Sequence, residues 1–159
     1  FIELRLSIED IEKFPINDDS IENFKESRHE ELRCNIQNSV FHDENRIPLT
    51  LEDIFYEEKQ NFYVKNGSIF IKANNKYVGY GQIILSNKEP LIVNVGILKE
   101  YRNSGLGCLL MKSLINKCKD LKFKDVRIRC YADNYTALNL YKKLGFKEEN
   151  YMFNWTLCK

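Results

Sequence analysis

Hydrophobic and polar residues alternate over the first eight positions of the chain, and this pattern predicts a β-strand at residues 1–8. The spacing then changes, and a thin apolar stripe over residues 20–38 predicts a mostly polar helix. The stripe consists of Ile21, Phe24, Leu32 and Ile36. Further along, Thr50 and Asp53 have the spacing of a capping box, which predicts a short helix that reaches about Gln60.

The strongest strand signal covers residues 62–85, which are rich in β-branched and aromatic side chains. Within it, the Asn-Gly pair at 66–67 and the Asn-Asn pair at 74–75 predict hairpin turns. Residues 90–98 are almost entirely apolar. That pattern is typical of a central strand that is covered on both of its faces.

Helices and strands alternate in the last third of the chain. The pattern predicts a helix over 106–121, a strand over 125–132, a helix over 134–145 and a final strand over 151–158. The strand–helix–strand unit across 90–132 predicts a parallel crossover. We therefore expect an α/β (α+β) fold, with a central mixed sheet of about six to seven strands flanked by helices on both faces.

Length and composition favour a single domain over residues 1–159, because 43% of the residues are apolar and no apolar run is long enough to cross a bilayer. Residues 1–61 carry 16 acidic and 7 basic side chains, whereas residues 62–159 carry 7 acidic and 17 basic ones. This division indicates two different partners, and two sets of solvated helix faces are the alternative. The five cysteines are widely spaced and form no CxxC pair, which favours reduced thiols in a cytoplasmic protein over a disulfide framework or a metal site.

The stretch EYRNSGLGCLLM, residues 100–111, joins the central strand to the next predicted helix. Unpaired N–H groups at a helix N-terminus attract an anion, and Gly105 and Gly107 allow the backbone to approach phosphate oxygens closely. The dinucleotide pattern GxGxxG fails because Leu110 replaces the third glycine, and the P-loop pattern fails because no glycine precedes Lys112. The remaining pattern, Arg-x-x-Gly-x-Gly, predicts a pyrophosphate site of another kind.

Two motifs in the correct order resemble the GNAT superfamily of N-acetyltransferases, which use acetyl-CoA. The first is the Q/R-x-x-G-x-G/A loop and the second is the helix N-x-x-A-x-x-L-Y-x-K-x-G-F. The matching residues are Arg102, Gly105 and Gly107, followed by Asn134, Ala137, Leu140, Tyr141, Lys143, Gly145 and Phe146. The resemblance is sharpest over residues 90–147, and the order of the elements extends it to the whole chain. Lys99 departs from the proline that many members carry at this loop position.

The resemblance implies that acetyl-CoA lies along the end of the central strand and the glycine-containing loop. Backbone groups of 95–97 would contact the pantetheine and the acetyl carbonyl, and N–H groups of 103–108 would contact the pyrophosphate. Asn134 would contact the pantetheine, and Tyr141 would lie near the sulfur. The implied cofactor-binding residues are Val95, Gly96, Ile97, Arg102, Asn103, Ser104, Gly105, Leu106, Gly107, Cys108, Asn134 and Tyr141. No metal is expected.

The chemistry of acetyl transfer assigns roles to a few of these residues. The reaction passes through a tetrahedral species whose oxygen carries negative charge, and a backbone N–H freed by a β-bulge at Gly96 would stabilise it. Tyr141, with an ordinary pKa of about 10, suits a general acid for the departing thiolate, although a core aromatic at helical spacing is the alternative. Glu89 is the nearest candidate for a base acting through water, because Leu91 occupies the position at which many relatives place a glutamate. Otherwise, Glu89 is the polar end of a strand.

The sequence therefore predicts an N-acetyltransferase that moves an acetyl group from acetyl-CoA to a primary amine, by direct attack in a ternary complex. The acidic segment 1–61 would form the acceptor side and favour a cationic small molecule or a protein amine. Residues 62–159 would form the sheet core and bind acetyl-CoA. A non-catalytic acyl-CoA-binding module and an acyltransferase for longer acyl-CoA are the alternatives. We expect no nucleic-acid or membrane partner, and the resemblance allows a homodimer because many relatives are dimers.

Overall fold

The computed structural model describes residues 1–42 and 46–149 as a seven-stranded mixed sheet with four α-helices. The strands are β1 (Ile2–Ser7), β2 (Ile21–Asn23), β3 (Tyr63–Ala73), β4 (Lys76–Ser86), β5 (Glu89–Ile97), β6 (Asp125–Cys130) and β7 (Lys147–Glu148). The helices are α1 (Glu30–Val40), α2 (Leu51–Glu57), α3 (Leu106–Asp120) and α4 (Tyr135–Lys143). Within these described residues, no helix has the length and apolar character needed to cross a membrane.

The sheet has the strand order β2-β3-β4-β5-β6-β1-β7. Among the described neighbouring strands, only β5 and β6 run parallel, and the other pairs are antiparallel. Helix α3 connects β5 to β6, so the predicted parallel crossover is confirmed. The predicted α/β (α+β) class, with a mixed sheet of about six to seven strands, is confirmed as well.

Helices cover both faces of the sheet. A Cβ added at Gly81 in β4 would lie 2.8 Å from Leu114 and 3.1 Å from Leu110, two core residues of α3. A Cβ added at Gly96 in β5 would instead lie 2.1 Å from Val40, at the end of α1. The larger apolar core lies on the α3 face, and a smaller cluster packs under α1 on the other face.

The N-terminal strand β1 lies inside the sheet and is the direct neighbour of β6. The two strands pair antiparallel from Ile2↔Cys130 to Ser7↔Asp125, and the opposite edge of β1 pairs with β7. The alternation seen in the sequence places Leu4 in the core with no exposed surface. The acidic N-terminal part of the chain therefore supplies two sheet strands, β1 and β2, as well as the helices α1 and α2.

The predicted helix over residues 20–38 is wrong in its first half. The first residues form β2, which pairs with β3, and α1 begins only at Glu30. Between these elements, the Phe24 N–H donates to the Ser68 carbonyl at 3.0 Å, and Ser27 has a positive φ of 69°. Pairing with a strand that is distant in sequence overrides the local helical spacing.

One of the two predicted turns is confirmed and the other is wrong. The Asn-Asn pair at 74–75 connects β3 to β4, with φ values of 53° and 64°. The Asn-Gly pair at 66–67 lies inside β3, where the pairing with β4 shifts between Tyr63 and Ser68. Asn66 has a φ of 65°, so a residue type that favours turns forms an irregularity within a long strand instead.

The capping box at the start of α2 is confirmed. The Thr50 hydroxyl accepts a hydrogen bond from the Asp53 N–H, and the Asp53 carboxylate accepts one from the Thr50 N–H. The helix ends at Glu57, a few residues before the predicted end near Gln60. The final strand predicted over 151–158 lies outside the described residues.

We expect Gly96→Ala to lower the free energy of unfolding by about 1–3 kcal/mol, the usual cost of inserting a methyl group into packed surroundings. The reason is the 2.1 Å approach that the added Cβ would make to Val40. Urea-induced unfolding measures the change. The matched control is Gly107→Ala, whose Cβ would meet nothing closer than Leu140 at 3.9 Å. Equal destabilisation by the two variants would contradict this packing.

Candidate active site

The strands β5 and β6 separate beyond the middle of the sheet. They pair only at Leu91↔Arg127 and Ile92↔Ile128, so the edge of β5 that faces β6 has no described strand partner from Val93 onward. A cavity of about 200 Å³ lies at this separation. Its lining consists of Phe41, Arg46, Ile92, Val93, Asn94, Val95, Ile128, Arg129 and Tyr141. The separation therefore creates a cavity beside unpaired backbone groups.

A β-bulge in β5 accompanies the separation. The pairing with β4 shifts between Tyr80↔Gly96 and Gln82↔Val93, so Asn94 and Val95 together lie opposite the single residue Gly81. The bulge predicted at Gly96 is therefore one or two residues too late, because Gly96 is itself paired with Tyr80. Asn94 has a positive φ of 56°, a conformation that asparagine tolerates better than most residues.

Buried polar contacts hold the bulge against β4 and α1. The Asn94 side-chain amide donates to the side-chain Oε1 of Gln82 at 3.0 Å, and the Tyr80 hydroxyl donates to the same oxygen at 3.0 Å. Gln82 has no exposed surface and Tyr80 has almost none. The guanidinium of Arg33, from α1, lies 5.2 Å from the centre of the Tyr80 ring. These contacts fix the orientation of Asn94 at the cavity wall.

Tyr141 lines the cavity from helix α4. Its ring is 8% exposed and packs against Phe146 with 6.0 Å between the ring centres. Burial raises the pKa of Tyr141 to about 12, and the nearby Cys130 contributes in the same direction. The phenol therefore keeps its proton throughout the neutral range, which is the state that a general acid requires.

The glycine-containing loop ends at the N-terminus of α3. Gly105 is the N-cap residue with a φ of +84°, and Asn103 has a φ of 62°. No side chain caps this helix end, and its first turn contains no acidic residue. A Cβ at Gly107 would contact only Leu140, at 3.9 Å, so the space above this residue is open. The first-turn N–H groups, with the absence of a Cβ at Gly107, fit a bound pyrophosphate.

Arg102 ties this loop to two other elements. Its Nε donates to the Ile97 carbonyl at 2.8 Å, and its terminal amino group donates to the Val40 carbonyl at 3.2 Å. Arg102 thus joins the end of β5 to the end of α1 and shapes the loop. A contact between Arg102 and a cofactor phosphate stays a prediction.

The other predicted cofactor residues lie in two groups. Ser104, Leu106 and Cys108 belong to the loop and the first turn of α3, where the Ser104 hydroxyl donates to the Tyr101 carbonyl. Asn134 caps α4 by accepting a hydrogen bond from the Ala137 N–H at 3.2 Å, as the motif predicts. Contacts of the backbone N–H groups of the first three residues, and of Asn134, with a cofactor stay predictions.

Glu89 lies at the far end of β5, roughly 16 Å along the strand from the bulge. Its carboxylate contacts the guanidinium of Arg5 at 2.9 Å and that of Arg127 at 3.4 Å. The ion pairs link β5, β6 and β1, and this arrangement favours a structural role. The predicted role as a base has no support from the position of Glu89.

Sequence reasoning missed seven of the nine residues that line the cavity. Three of them are the aliphatic residues Ile92, Val93 and Ile128, and the other four are Phe41, Arg46, Asn94 and Arg129. Asn94 carried a usable signal, because it interrupts an otherwise apolar strand. Arg129 belongs to the alternating run DVRIRC, which places Ile128 on one face of β6 and Arg129 on the other. Phe41 and Arg46 follow α1 in a loop and had no periodic signal.

In the described part of the chain, no group of three or more His, Cys, Asp or Glu side chains could hold a metal ion.

Comparison with known families identifies a match over most of the chain. The model of the family described as Acetyltransferase (GNAT) family matches residues 24–146. The match includes the loop before α3, the bulged strand and the helix that carries Tyr141.

Individual relatives agree with the family match. The chain is 28% identical over 100 residues to a Bacillus subtilis (strain 168) protein named "Putative ribosomal protein bS18-alanine N-acetyltransferase", with 63% of this chain and 65% of that protein covered. It is 36% identical over 62 residues to an N-alpha-acetyltransferase of Sulfurisphaera tokodaii, with 38% and 37% covered. A crystal structure of a GCN5-related N-acetyltransferase from Sphaerobacter thermophilus has the same fold, with a TM-score of 0.76 and 14% identity over 93% of this chain.

The chain spans less than two thirds of the length of these relatives. The matched parts amount to 65% and 37% of the two curated proteins and to 48% of the solved chain. The similarity to these relatives therefore concerns only the matched part of each of them.

We expect Gly107→Ala to weaken the binding of acetyl-CoA by about 10- to 100-fold, the loss of one or two hydrogen bonds to a charged group. The added methyl group would occupy the space that the pyrophosphate needs. Isothermal titration with acetyl-CoA measures the affinity. Urea unfolding of the same variant should show equal or slightly greater stability, because alanine is the better helix former by about 1 kcal/mol. Ser113→Ala, later in α3, serves as a control and should bind normally. Unchanged affinity in Gly107→Ala would contradict the assigned pyrophosphate site.

Proposed function

Because the chain belongs to the Acetyltransferase (GNAT) family, we propose that it transfers the acetyl group of acetyl-CoA to the α-amine of a polypeptide. The observation that carries the proposal is the cavity between β5 and β6. This cavity joins the unpaired edge of β5 to the buried phenol of Tyr141. The loop before α3, with its open helix N-terminus, supports acetyl-CoA as the donor.

Acetyl-CoA would bind across the loop and the separated strands. The N–H groups at 103–108 would hold the pyrophosphate, and Arg102 would keep the loop in place. The backbone of 95–97 would receive the pantetheine and the acetyl group along the edge of β5. Asn134 would contact the pantetheine from the start of α4. This arrangement directs the thioester toward Tyr141.

The reaction would proceed by direct attack in a ternary complex. The neutral amine forms a bond to the acetyl carbonyl carbon, and the carbonyl oxygen becomes an oxyanion. A backbone N–H on the free edge of β5 would stabilise this oxyanion, a contribution of about 3–4 kcal/mol in comparable sites. Collapse of the tetrahedral species breaks the carbon–sulfur bond. The thiolate takes a proton from Tyr141, and the proton that the newly bonded nitrogen must lose passes through water to the phenolate.

The attacking amine must first lose a proton. Among the described residues that line the cavity there is no carboxylate or histidine that could remove it. An α-amine has an ordinary pKa of about 8 and is roughly one-tenth neutral at pH 7, whereas a lysine amine with a pKa of about 10.4 is almost wholly charged. A site that relies on water as the proton acceptor therefore favours an α-amine. The names of the Bacillus and Sulfurisphaera relatives agree with this choice.

Other assignments from the sequence have less support. A cationic acceptor was expected from the acidic segment 1–61, yet the charged side chains that line the cavity in the described structure are arginines. A non-catalytic acyl-CoA-binding module would have no use for the protonated phenol of Tyr141 at the cavity wall. The proposal keeps the cytoplasmic location predicted from the sequence, since the four described cysteines are unpaired.

We expect Tyr141→Phe to lower kcat by about 100-fold or more, the usual contribution of a general acid. Affinity for acetyl-CoA should change little, because the ring and its packing against Phe146 remain. Mass spectrometry of the acetylated peptide measures the rate. Tyr135→Phe is the matched control, because Tyr135 lies on the same helix and is 71% exposed. Equal rates for the Tyr141→Phe variant and the unmodified protein would overturn the assigned role.

The pH dependence of kcat/KM separates the titration of the amine from that of Tyr141. The value should rise up to about pH 8, where the free α-amine becomes neutral. It should then stay level to about pH 10, because burial raises the pKa of Tyr141 to about 12 and the acid form persists below that value. A peptide whose α-amine has a lower pKa should shift this rise in kcat/KM to lower pH, by the same number of pH units as the difference in pKa. A rise that stays at one pH for amines of different pKa would indicate a base on the protein instead.

A further inference from the structure

The cavity between β5 and β6 is lined by positively charged side chains on the side that faces α1. Arg46 and Arg129 line it, and no described lining residue carries a carboxylate. Arg129 and Ile128 are neighbours on β6, so their side chains point to opposite faces of the sheet. Phe41, next to Arg46 in the lining, follows directly after α1. The two arginines therefore lie on the face opposite to α3.

Both guanidinium groups are held in position. Arg129 Nε donates to the Glu3 carboxylate at 2.6 Å. Glu3 is shared with Arg127, whose terminal amino group lies 3.3 Å from the other carboxylate oxygen. Arg46 lies over the ring of Phe41 at 4.6 Å from its centre. In both cases the contact orients the side chain.

Two carboxylates of the acidic N-terminal half are engaged away from the cavity. Glu57 contacts Arg33 beneath α1, and Glu22 accepts a hydrogen bond from Tyr77 and contacts Lys72. None of these carboxylates lines the cavity. The charge division of the chain therefore does not extend to the lining of this site.

We propose that the acceptor carries a carboxylate close to its amine, and that Arg46 and Arg129 bind this carboxylate. The inference rests on the proposed function and adds the acceptor's charge to it. Guanidinium groups bind carboxylates through paired N–H donors. Their positive charge also favours the neutral form of a bound amine, which is the reactive form. An acidic side chain next to a polypeptide N-terminus supplies both groups within one short segment.

The test compares peptides that differ only at the second residue, which is Glu, Gln or Lys. The Glu peptide should have a kcat/KM about tenfold above that of the Gln peptide, mainly through KM, and the Lys peptide should be the poorest. Arg46→Met and Arg129→Met should each reduce the preference for Glu over Gln severalfold. Arg28→Met, an exposed arginine outside the cavity, should keep the full preference. Circular dichroism and urea unfolding check that each variant is folded.

Two further measurements test the effect of the acceptor's charge separately from catalytic activity. Titration of the Glu and Gln peptides into the CoA-bound protein measures the preference without the reaction, so it tests the inference even if no peptide is acetylated. Glutamic acid α-amide and glutaminamide test the same charge difference on a small amine. Acetylation of glutamic acid α-amide in preference to the peptides would indicate that the carboxylate belongs to a small-molecule acceptor. Equal binding and equal rates for the Glu, Gln and Lys peptides would overturn the proposal, as would a preference that both arginine variants retain.

Discussion

The separation of β5 from β6 beyond Ile92 is the constraint on which the site depends. Parallel strands normally continue to pair, and a fully paired β5 would have no backbone group for a ligand. The bulge at 94–95 redirects the strand, and the contact of Gly96 with Val40 brings α1 against the redirected end. Arg102 then joins the Ile97 and Val40 carbonyls. Contacts of the sheet, of α1 and of the loop before α3 therefore maintain the separation together.

The glycines of the site act through different physical effects. Gly105 has a left-handed backbone conformation that begins α3, and nothing would crowd a Cβ there. Gly107 has an ordinary conformation and open space, which a ligand can use. Gly96 is required by packing against Val40 inside the protein. The three glycines thus meet a conformational, a ligand-related and a packing requirement, and only the structure separates them.

Local rules predicted the elements whose signals are contained in their own residues. The capping box at Thr50 and the N-cap at Asn134 depend on contacts three residues away, and both are present. Features set by distant strands were mispredicted. The short strand β2 exists only because β3 lies beside it, and the position of the bulge depends on the register with β4. Glu89 was considered as a base because it lies on the same face of the strand as Leu91, and that role stays a prediction. Its ion pairs with Arg5 and Arg127 cannot be inferred from spacing along the chain.

Amide chemical shifts of ¹⁵N-labelled protein during titration with acetyl-CoA test the central claim most directly. The account predicts that the shifts concentrate at two places, the edge of β5 at 93–97 and the loop with the first turn of α3 at 103–108. Slowed hydrogen exchange at the same amides would accompany them. Shifts confined to other surfaces, such as the cavity beside Lys13 and Asn116, would contradict it. In that case, the separated strands would not be the site of acetyl transfer.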